Sequence, residues 1–246
     1  MWLYGTDFQD PAYRAKYGYD SRFRIVPLIF GEYDGKRIFD YEEVGVATKD
    51  LSFDDYLSLR RFALIVETVY NNQPFEEFFR YALSLGESRF KFLYRIFLAL
   101  DHAPKEICQI FEKFMTETRG ELWASEKEMI DHYRQDDTYR QLMAGAIGGN
   151  LIYKYKSMSL ALAMPYWIEF LTKQLKSMAC EHLSGDQDID QMEMEIDVLA
   201  EFSSKKTWKF LDEHSSDEKV KMSSAYNLVD WLEGPEDAQL ADYVSE

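Results

Sequence analysis

The hydrophobic pattern of the first sixty residues consists of short apolar runs separated by turn residues, which is typical of strands joined by tight turns. Residues 23–30 form a strongly apolar run, and residues 36–48 form a second run of strand character. Asp34 and Gly35 lie between them, and both residues tolerate the positive φ angles that a two-residue turn needs. The pattern therefore predicts a β-hairpin, and Pro27 disfavours a central position for the first strand because it cannot donate to a ladder.

The segments that flank this hairpin carry helix start signals. Residues 2–6 are predicted as a short strand, and residues 11–17 as a small helix with Asp10 as N-cap. After the hairpin, Ser52 is predicted to cap the start of a helix, since Asp54 and Asp55 would meet the positive end of its dipole. We expect this helix to run to about residue 70.

The rest of the chain has mainly helical periodicity. Helices are predicted for residues 74–85, 88–100, 104–118, 121–146, 151–183 with a kink at Pro165, and 189–211. Residues 219–232 are expected to be extended and to return to the sheet as a last strand. We therefore predict an α+β fold with a strand-hairpin-helix subdomain over residues 1–75, a helical region over 76–217, and a closing strand with an acidic tail over 218–246, all in one compact unit.

Composition supports a packed core and restricts the partners. Of the 246 residues, 46% are hydrophobic and 16% aromatic, which is enough for a core. Most of the formal charge of −16 lies in residues 186–246, and this negative surface argues against nucleic acid or anionic membrane as partners.

Because leader and membrane signals are not found, we expect a cytoplasmic protein. The chain opens without the basic and apolar regions of a signal peptide. Its most apolar stretch, residues 157–172, has only about a dozen uninterrupted apolar residues, where a span needs about 20. Cys108 and Cys180 are expected to be reduced thiols, because two distant cysteines make no disulfide framework.

Candidate chemistry along the chain is sparse. Glu128 and His132 share a helix face, yet the partners of a di-iron or zinc site are missing from the sequence. Asp186, Asp188, Asp190 and Asp197 have the spacing of a calcium loop but lack its glycine, and they are explained as well by the start of a helix. Gly145, Gly148 and Gly149 are expected to end a helix, since no strand precedes them. The residues alone therefore predict no catalytic, cofactor or metal site.

Several short motifs resemble the segment that follows the catalytic barrel in cobalamin-binding radical SAM proteins. The motifs are Gly5-Thr6-Asp7, Tyr13-Arg14 with Lys16-Tyr17, residues 24–27, Gly31-Glu32-Tyr33, residues 39–43, residues 51–56, Arg60, and the closing residues 226–232. The resemblance covers residues 1–75 well and returns near the end of the chain. It implies an accessory domain that caps the barrel and contributes to its substrate side.

The motifs that bind the cofactors of that family are not found in this sequence. The cluster motif CxxxCxxC and the cobalamin motif DxHxxG are both missing, so this chain is expected to bind no cofactor itself, whereas the parent family carries an iron–sulfur cluster, S-adenosylmethionine and cobalamin. The chain resembles the part downstream of the barrel, as a split gene, a truncated frame or a cut product would. The expected partner is then a radical SAM catalytic barrel, in cis or in trans.

Four polar residues are candidates for the substrate or partner side of such a domain. They are Arg24, Glu42, Glu43 and Arg60. Cross-strand and strand–helix ion pairs would explain the same residues equally well. Two other functions remain open, a stand-alone helical protein-interaction module and an independent enzyme without a familiar motif.

Overall fold

The computed structural model describes residues 5–182, 186–208 and 221–245. Within these residues the chain forms a two-stranded antiparallel sheet and eleven α-helices, so the predicted α+β class with mainly helical content is confirmed. The elements are α1 (Pro11–Tyr17), β1 (Asp20–Tyr33), β2 (Lys36–Ala47), α2 (Phe53–Ile65), α3 (Glu76–Ser84), α4 (Arg89–Ala99), α5 (Lys105–Gly120), α6 (Glu126–Tyr133), α7 (Asp136–Met143), α8 (Leu151–Leu162), α9 (Met164–Cys180), α10 (Asp186–Trp208) and α11 (Leu228–Glu233). A π-helical turn, Val66–Tyr70, continues α2.

The hairpin has the predicted turn and an unpredicted bulge. Asp34 and Gly35 adopt φ angles of 50° and 70°, as the two central residues of a type I′ turn do. The pairing passes from Ile25 opposite Tyr41 to Phe30 opposite Phe39. Residues 26–29 of β1 therefore stand against Asp40 alone, and the extra residues form a large β-bulge.

The caps next to the hairpin agree with the sequence signals. The Asp10 carboxylate accepts a hydrogen bond from the Ala12 N–H at 2.9 Å. Ser52 and Asp55 form a reciprocal cap, in which Ser52 Oγ accepts from the Asp55 N–H at 3.1 Å and Asp55 accepts from the Ser52 N–H at 2.9 Å. Both helices therefore begin where local chemistry places them.

The chain divides into two compact units, and each is built from two stretches of sequence. Unit 1 combines the residues up to Ala63 with Phe111–Tyr155. Its core packs β1 and β2 against α6 and α7 through Ile25, Phe39, Met129, Tyr133, Tyr139 and Leu142. Residues of the predicted 1–75 subdomain thus share a core with part of the predicted helical region.

Residues 121–146 do not form the single helix that periodicity predicts. Trp123 pairs with Phe23 of β1, each donating its N–H to the carbonyl of the other at 2.8 and 2.9 Å. This pairing keeps the chain extended before Ser125, whose hydroxyl caps α6. The helical stretch then breaks again between α6 and α7, so the prediction was wrong because a tertiary backbone contact overrides local helix propensity.

Unit 2 comprises Leu64–Ile110 and the described residues from Lys156 onward. Its main packing is between α9 and α10, with α3 and α4 against α9. Arg80 of α3 is 5% exposed and donates to the carbonyls of Trp231, Leu232, Gly234 and Pro235 at 2.7–2.8 Å. A buried guanidinium therefore satisfies the carbonyl end of α11 and fixes the C-terminal segment to α3 within unit 2.

The closing segment is helical where a last strand was predicted. Residues Leu228–Glu233 form α11, capped by the Asn227 side chain, and among the described residues of the predicted strand only Tyr226 makes a β-bridge, to Val244. The prediction was wrong because the Asn227 cap and the Arg80 contacts both favour a helix there. The predicted kink near Pro165 is confirmed as a break between α8 and α9. Residues 2–4 of the predicted first strand, and the turn at 214–217, lie outside the described residues.

Among the helices that the structure describes, none combines the length and the apolar character needed to cross a bilayer.

We predict that Gly35→Val destabilises the hairpin by about 1–2 kcal/mol, because a β-branched residue resists a φ of 70°. The cost is conformational, since a Cβ at Gly35 would meet no atom within 4 Å. Gly31→Val is the matched control, because Gly31 lies in β1 with equal space and without a positive φ. Urea melts of both variants test this, and equal midpoints would contradict the turn assignment.

Candidate functional site

Three of the four predicted polar residues, Arg24, Glu42 and Arg60, lie together in unit 1. They surround Glu121, which the sequence analysis did not single out. Arg24 of β1 contacts Glu42 of β2 at 2.7 Å and Glu121, just after α5, at 3.0 Å. Arg60 of α2 lies 3.9 Å from the same Glu121 oxygen. We call Arg24, Glu42, Arg60 and Glu121 the charge cluster. It connects both strands to α2 and to the end of α5.

Burial and the neighbouring charges shift the pKa values of Arg24 and Glu121. Burial lowers the pKa of Arg24, but the carboxylates of Glu121 and Glu42 outweigh it and raise that pKa above its ordinary value. Burial raises the pKa of Glu121, although Arg24 and Arg60 oppose the shift. Tyr56, which also feels these charges, has its pKa raised mainly by burial. The cluster is thus a half-buried ion-pair network with two cations and two carboxylates.

Glu43, the remaining candidate, belongs to a separate contact. Its two carboxylate oxygens accept from Arg14 of α1 at 2.7 and 2.9 Å, and Ser21 Oγ donates to it at 2.6 Å. Burial raises the pKa of Glu43, but the hydrogen bonds from Arg14 and Ser21 outweigh burial and hold it below the usual value. This bidentate pair fixes α1 to the base of the hairpin.

A pocket of about 420 Å³ opens beside the charge cluster. The rings of Trp123 and His132 lie 4.7 Å apart between centroids at an interplanar angle of 36°, and both line the pocket together with the loop of residues 145–150. Lys154, which also lines the pocket, donates to both carboxylate oxygens of Glu117 at 2.7 and 2.9 Å. The charged groups of the pocket are therefore paired with one another, as they are in the charge cluster.

The bulge of β1 is held against the glycine-containing loop that follows α7. The Leu28 N–H donates to the Gly148 carbonyl at 3.2 Å. Gly148 has a φ of 77°, and a Cβ at this position would lie 2.4 Å from Leu142 Cδ2 and 3.1 Å from Ile25 Cδ1. Glycine is thus required here both for its conformation and for its lack of a side chain.

The same bulge presents apolar side chains to solvent. Leu28 adopts a φ of 65°, which is uncommon for a residue with a side chain, and 75% of its surface is exposed. Ile29 and Ile38 are each about half exposed, and Tyr33 is 76% exposed. All four residues line one hollow of about 350 Å³, and we call them the bulge surface.

The sequence analysis identified Arg24, Glu42 and Arg60 as candidates, but it missed the residues that contact them and the bulge next to them. Glu121 lay at the start of a predicted helix and carried no signal of a special role. Its role depends on the fold, which places it beside Arg24 although the two residues are 97 positions apart in the sequence. Leu28 could have been suspected, since Pro27 inside a strand pattern is a signal for a bulge. Gly148 was predicted to end a helix. Its neighbour Gly145 follows α7, whereas Gly148 has its own packing role.

No group of three or more His, Cys, Asp or Glu side chains that could hold a metal ion occurs in the part of the chain that the structure describes. Comparison with protein-family models, with curated proteins and with solved structures finds no match to this chain.

We predict that Gly148→Ala destabilises the protein by at least about 2 kcal/mol, because the new Cβ both overpacks Leu142 and resists the positive φ. Gly149→Ala is the matched control, since a Cβ there meets nothing within 4 Å and its φ is not positive. Thermal and denaturant unfolding of the two variants measures the difference. Similar stabilities would mean that the loop does not hold the bulge as described.

Proposed function

We propose that this chain is an accessory domain of a cobalamin-binding radical SAM enzyme, and that unit 1 docks on the catalytic barrel through the bulge surface. The proposal assigns this chain a role in binding and in shaping the substrate side of that barrel. It assigns the redox cofactors and the chemistry to the barrel. The sequence motifs of residues 1–75 suggest the family, and the geometry of the hairpin suggests the surface.

The observation that carries the proposal is the state of Leu28. A leucine with a φ of 65° is held in an unfavourable conformation, and its side chain is left largely in water. Neither property stabilises the isolated unit, because backbone strain costs about 1–3 kcal/mol and an exposed leucine gains no burial energy. Both become understandable when a partner surface covers Leu28, Ile29, Tyr33 and Ile38.

The charge cluster supports the proposed docking role because its ion pairs hold the hairpin in place. We assign it no reacting group. Its ion pairs connect β1 and β2 to α2 and the end of α5, so the hairpin is held rigidly before docking. A preformed surface loses less conformational entropy on binding than a mobile one. We propose that Arg24, Glu42, Glu43 and Arg60 act on the substrate side by fixing the hairpin that faces it.

A stand-alone interaction module would use the same exposed residues, since an apolar hollow does not reveal the identity of its partner. The encoding locus separates the two functions. An adjacent reading frame that carries CxxxCxxC favours the accessory domain, whereas an isolated gene favours the module.

We predict that Leu28→Asp weakens binding to a catalytic barrel by at least roughly 10-fold, because it places a carboxylate in the apolar contact. The probe is the CxxxCxxC protein encoded beside this chain, titrated with the full chain by isothermal calorimetry. Leu59→Asp is the matched control, since Leu59 of α2 is also more than half exposed but lies away from the bulge surface. Binding that is lost equally in both variants, or in neither, contradicts the assigned surface.

We also predict that the chain alone binds no iron–sulfur cluster, S-adenosylmethionine or cobalamin. A four-iron cluster of this family needs three cysteine ligands, and the chain has two cysteines that lie 72 positions apart. Anaerobic reconstitution with iron and sulfide, followed by visible spectroscopy and iron analysis, is the measurement. A stoichiometric brown cluster would show that the chain carries chemistry of its own.

A further inference from the structure

We propose that unit 2 carries a self-association surface, formed by the outer side of α4 and the groove between α4 and α9, and that its occupant is the same surface of a second copy of this chain. This inference concerns a different unit from the bulge surface. It is independent of the proposed function.

Helix α4 exposes a row of large apolar side chains in addition to its buried inner side. Its inner side packs into unit 2 through Phe92, Leu93 and Ile96, which are at most 6% exposed. On its outer side Tyr94 and Leu98 are 46% and 62% exposed, and Phe90 continues the same row one turn earlier. Three large apolar side chains are thus exposed in one row, beside Lys91 and Arg95, on a helix whose inner side is already packed. An exposed apolar row with a charged rim has the composition of a contact surface.

A groove of about 540 Å³ lies directly beside this apolar ridge. Tyr94 and Leu98 form its α4 side, Met178 and Gln174 its α9 side, and Ala99 lines it at the end of α4. Helices pack when the ridge of one enters the groove of the other. A ridge and a groove that run side by side along one helix are therefore complementary to a second, antiparallel copy of themselves.

The charges that line the groove are balanced, although the chain as a whole has a formal charge of −16. Lys91 contacts Glu87 at 2.9 Å, and Arg95 contacts Glu181 at 2.8 Å. These four side chains sum to zero formal charge at the rim. Two acidic molecules can approach each other here with little local repulsion, whereas the chain as a whole repels its copies.

Two-fold symmetry follows from this arrangement. In a homodimer the same patch meets itself, so any axis through the patch must pair equivalent residues. An axis near Tyr94 places Leu98 of each copy against the N-terminal half of α4 of the other, and it lays each ridge along the opposite groove. The apolar row of α4 would then be covered without any other protein.

Sedimentation velocity of the full chain over a wide concentration range tests the proposal. We expect a reversible monomer–dimer equilibrium, which Leu98→Glu weakens at least roughly 10-fold. The dimer should also strengthen between about 0.05 and about 0.5 M salt, since salt screens the repulsion between the acidic chains. A protein that remains monomeric at the highest concentration, or a dimer that salt dissociates, overturns the proposal.

Two control variants separate this surface from others. Leu59→Glu alters a residue of α2 that is 55% exposed, so it should leave the equilibrium unchanged. Leu28→Asp should also leave it unchanged while it impairs barrel binding, so failure of one proposal does not imply failure of the other. Circular dichroism melts show whether Leu98→Glu remains folded, and a dimer that a folded Leu98→Glu variant retains overturns the assigned surface.

Discussion

The pair of backbone hydrogen bonds between Phe23 and Trp123 is the constraint on which unit 1 depends. It joins a strand near the start of the chain to a segment 100 residues later, and closing so long a loop costs conformational entropy before any contact is gained. The core between β1, β2, α6 and α7 offsets that cost by burying apolar surface. Arg24 reaches Glu121 two residues before the pairing, so the bridge, the charge cluster and the core all depend on the same juxtaposition.

Local signals in the sequence predicted the elements that short-range chemistry decides. The Asp34-Gly35 turn, the Asp10 cap and the Ser52 cap are each set by residues within a few positions of one another. The sequence also located Arg24, Glu42 and Arg60 as polar residues of one region. It did not identify Glu121 or the bulge, because their roles depend on which distant segments meet, and periodicity contains no information about that.

The two wrong assignments have the same physical origin. In residues 121–125 a helical pattern gives way to backbone pairing with β1. In residues 228–233 an extended pattern gives way to a helix whose last carbonyls accept from buried Arg80, with Trp231 fully buried over its guanidinium. The second error was avoidable in part, since Asn227 followed by Asp230 is a helix start signal. The partner at the helix end, by contrast, comes from α3, about 150 residues earlier.

The bulge of β1 exposes an apolar surface at a cost in conformational stability. A regular hairpin would pair residues 26–29 and keep Leu28 in a strand conformation, whereas here four residues oppose one and Leu28 adopts a left-handed conformation. The surrounding structure maintains this shape through the Gly148 carbonyl and the tight packing of Gly148 on Ile25 and Phe30. Those contacts hold the backbone of the bulge but leave the Leu28 side chain largely in water. Leu28 is therefore a strained residue whose backbone is fixed by its neighbours and whose side chain adds little to the core of unit 1.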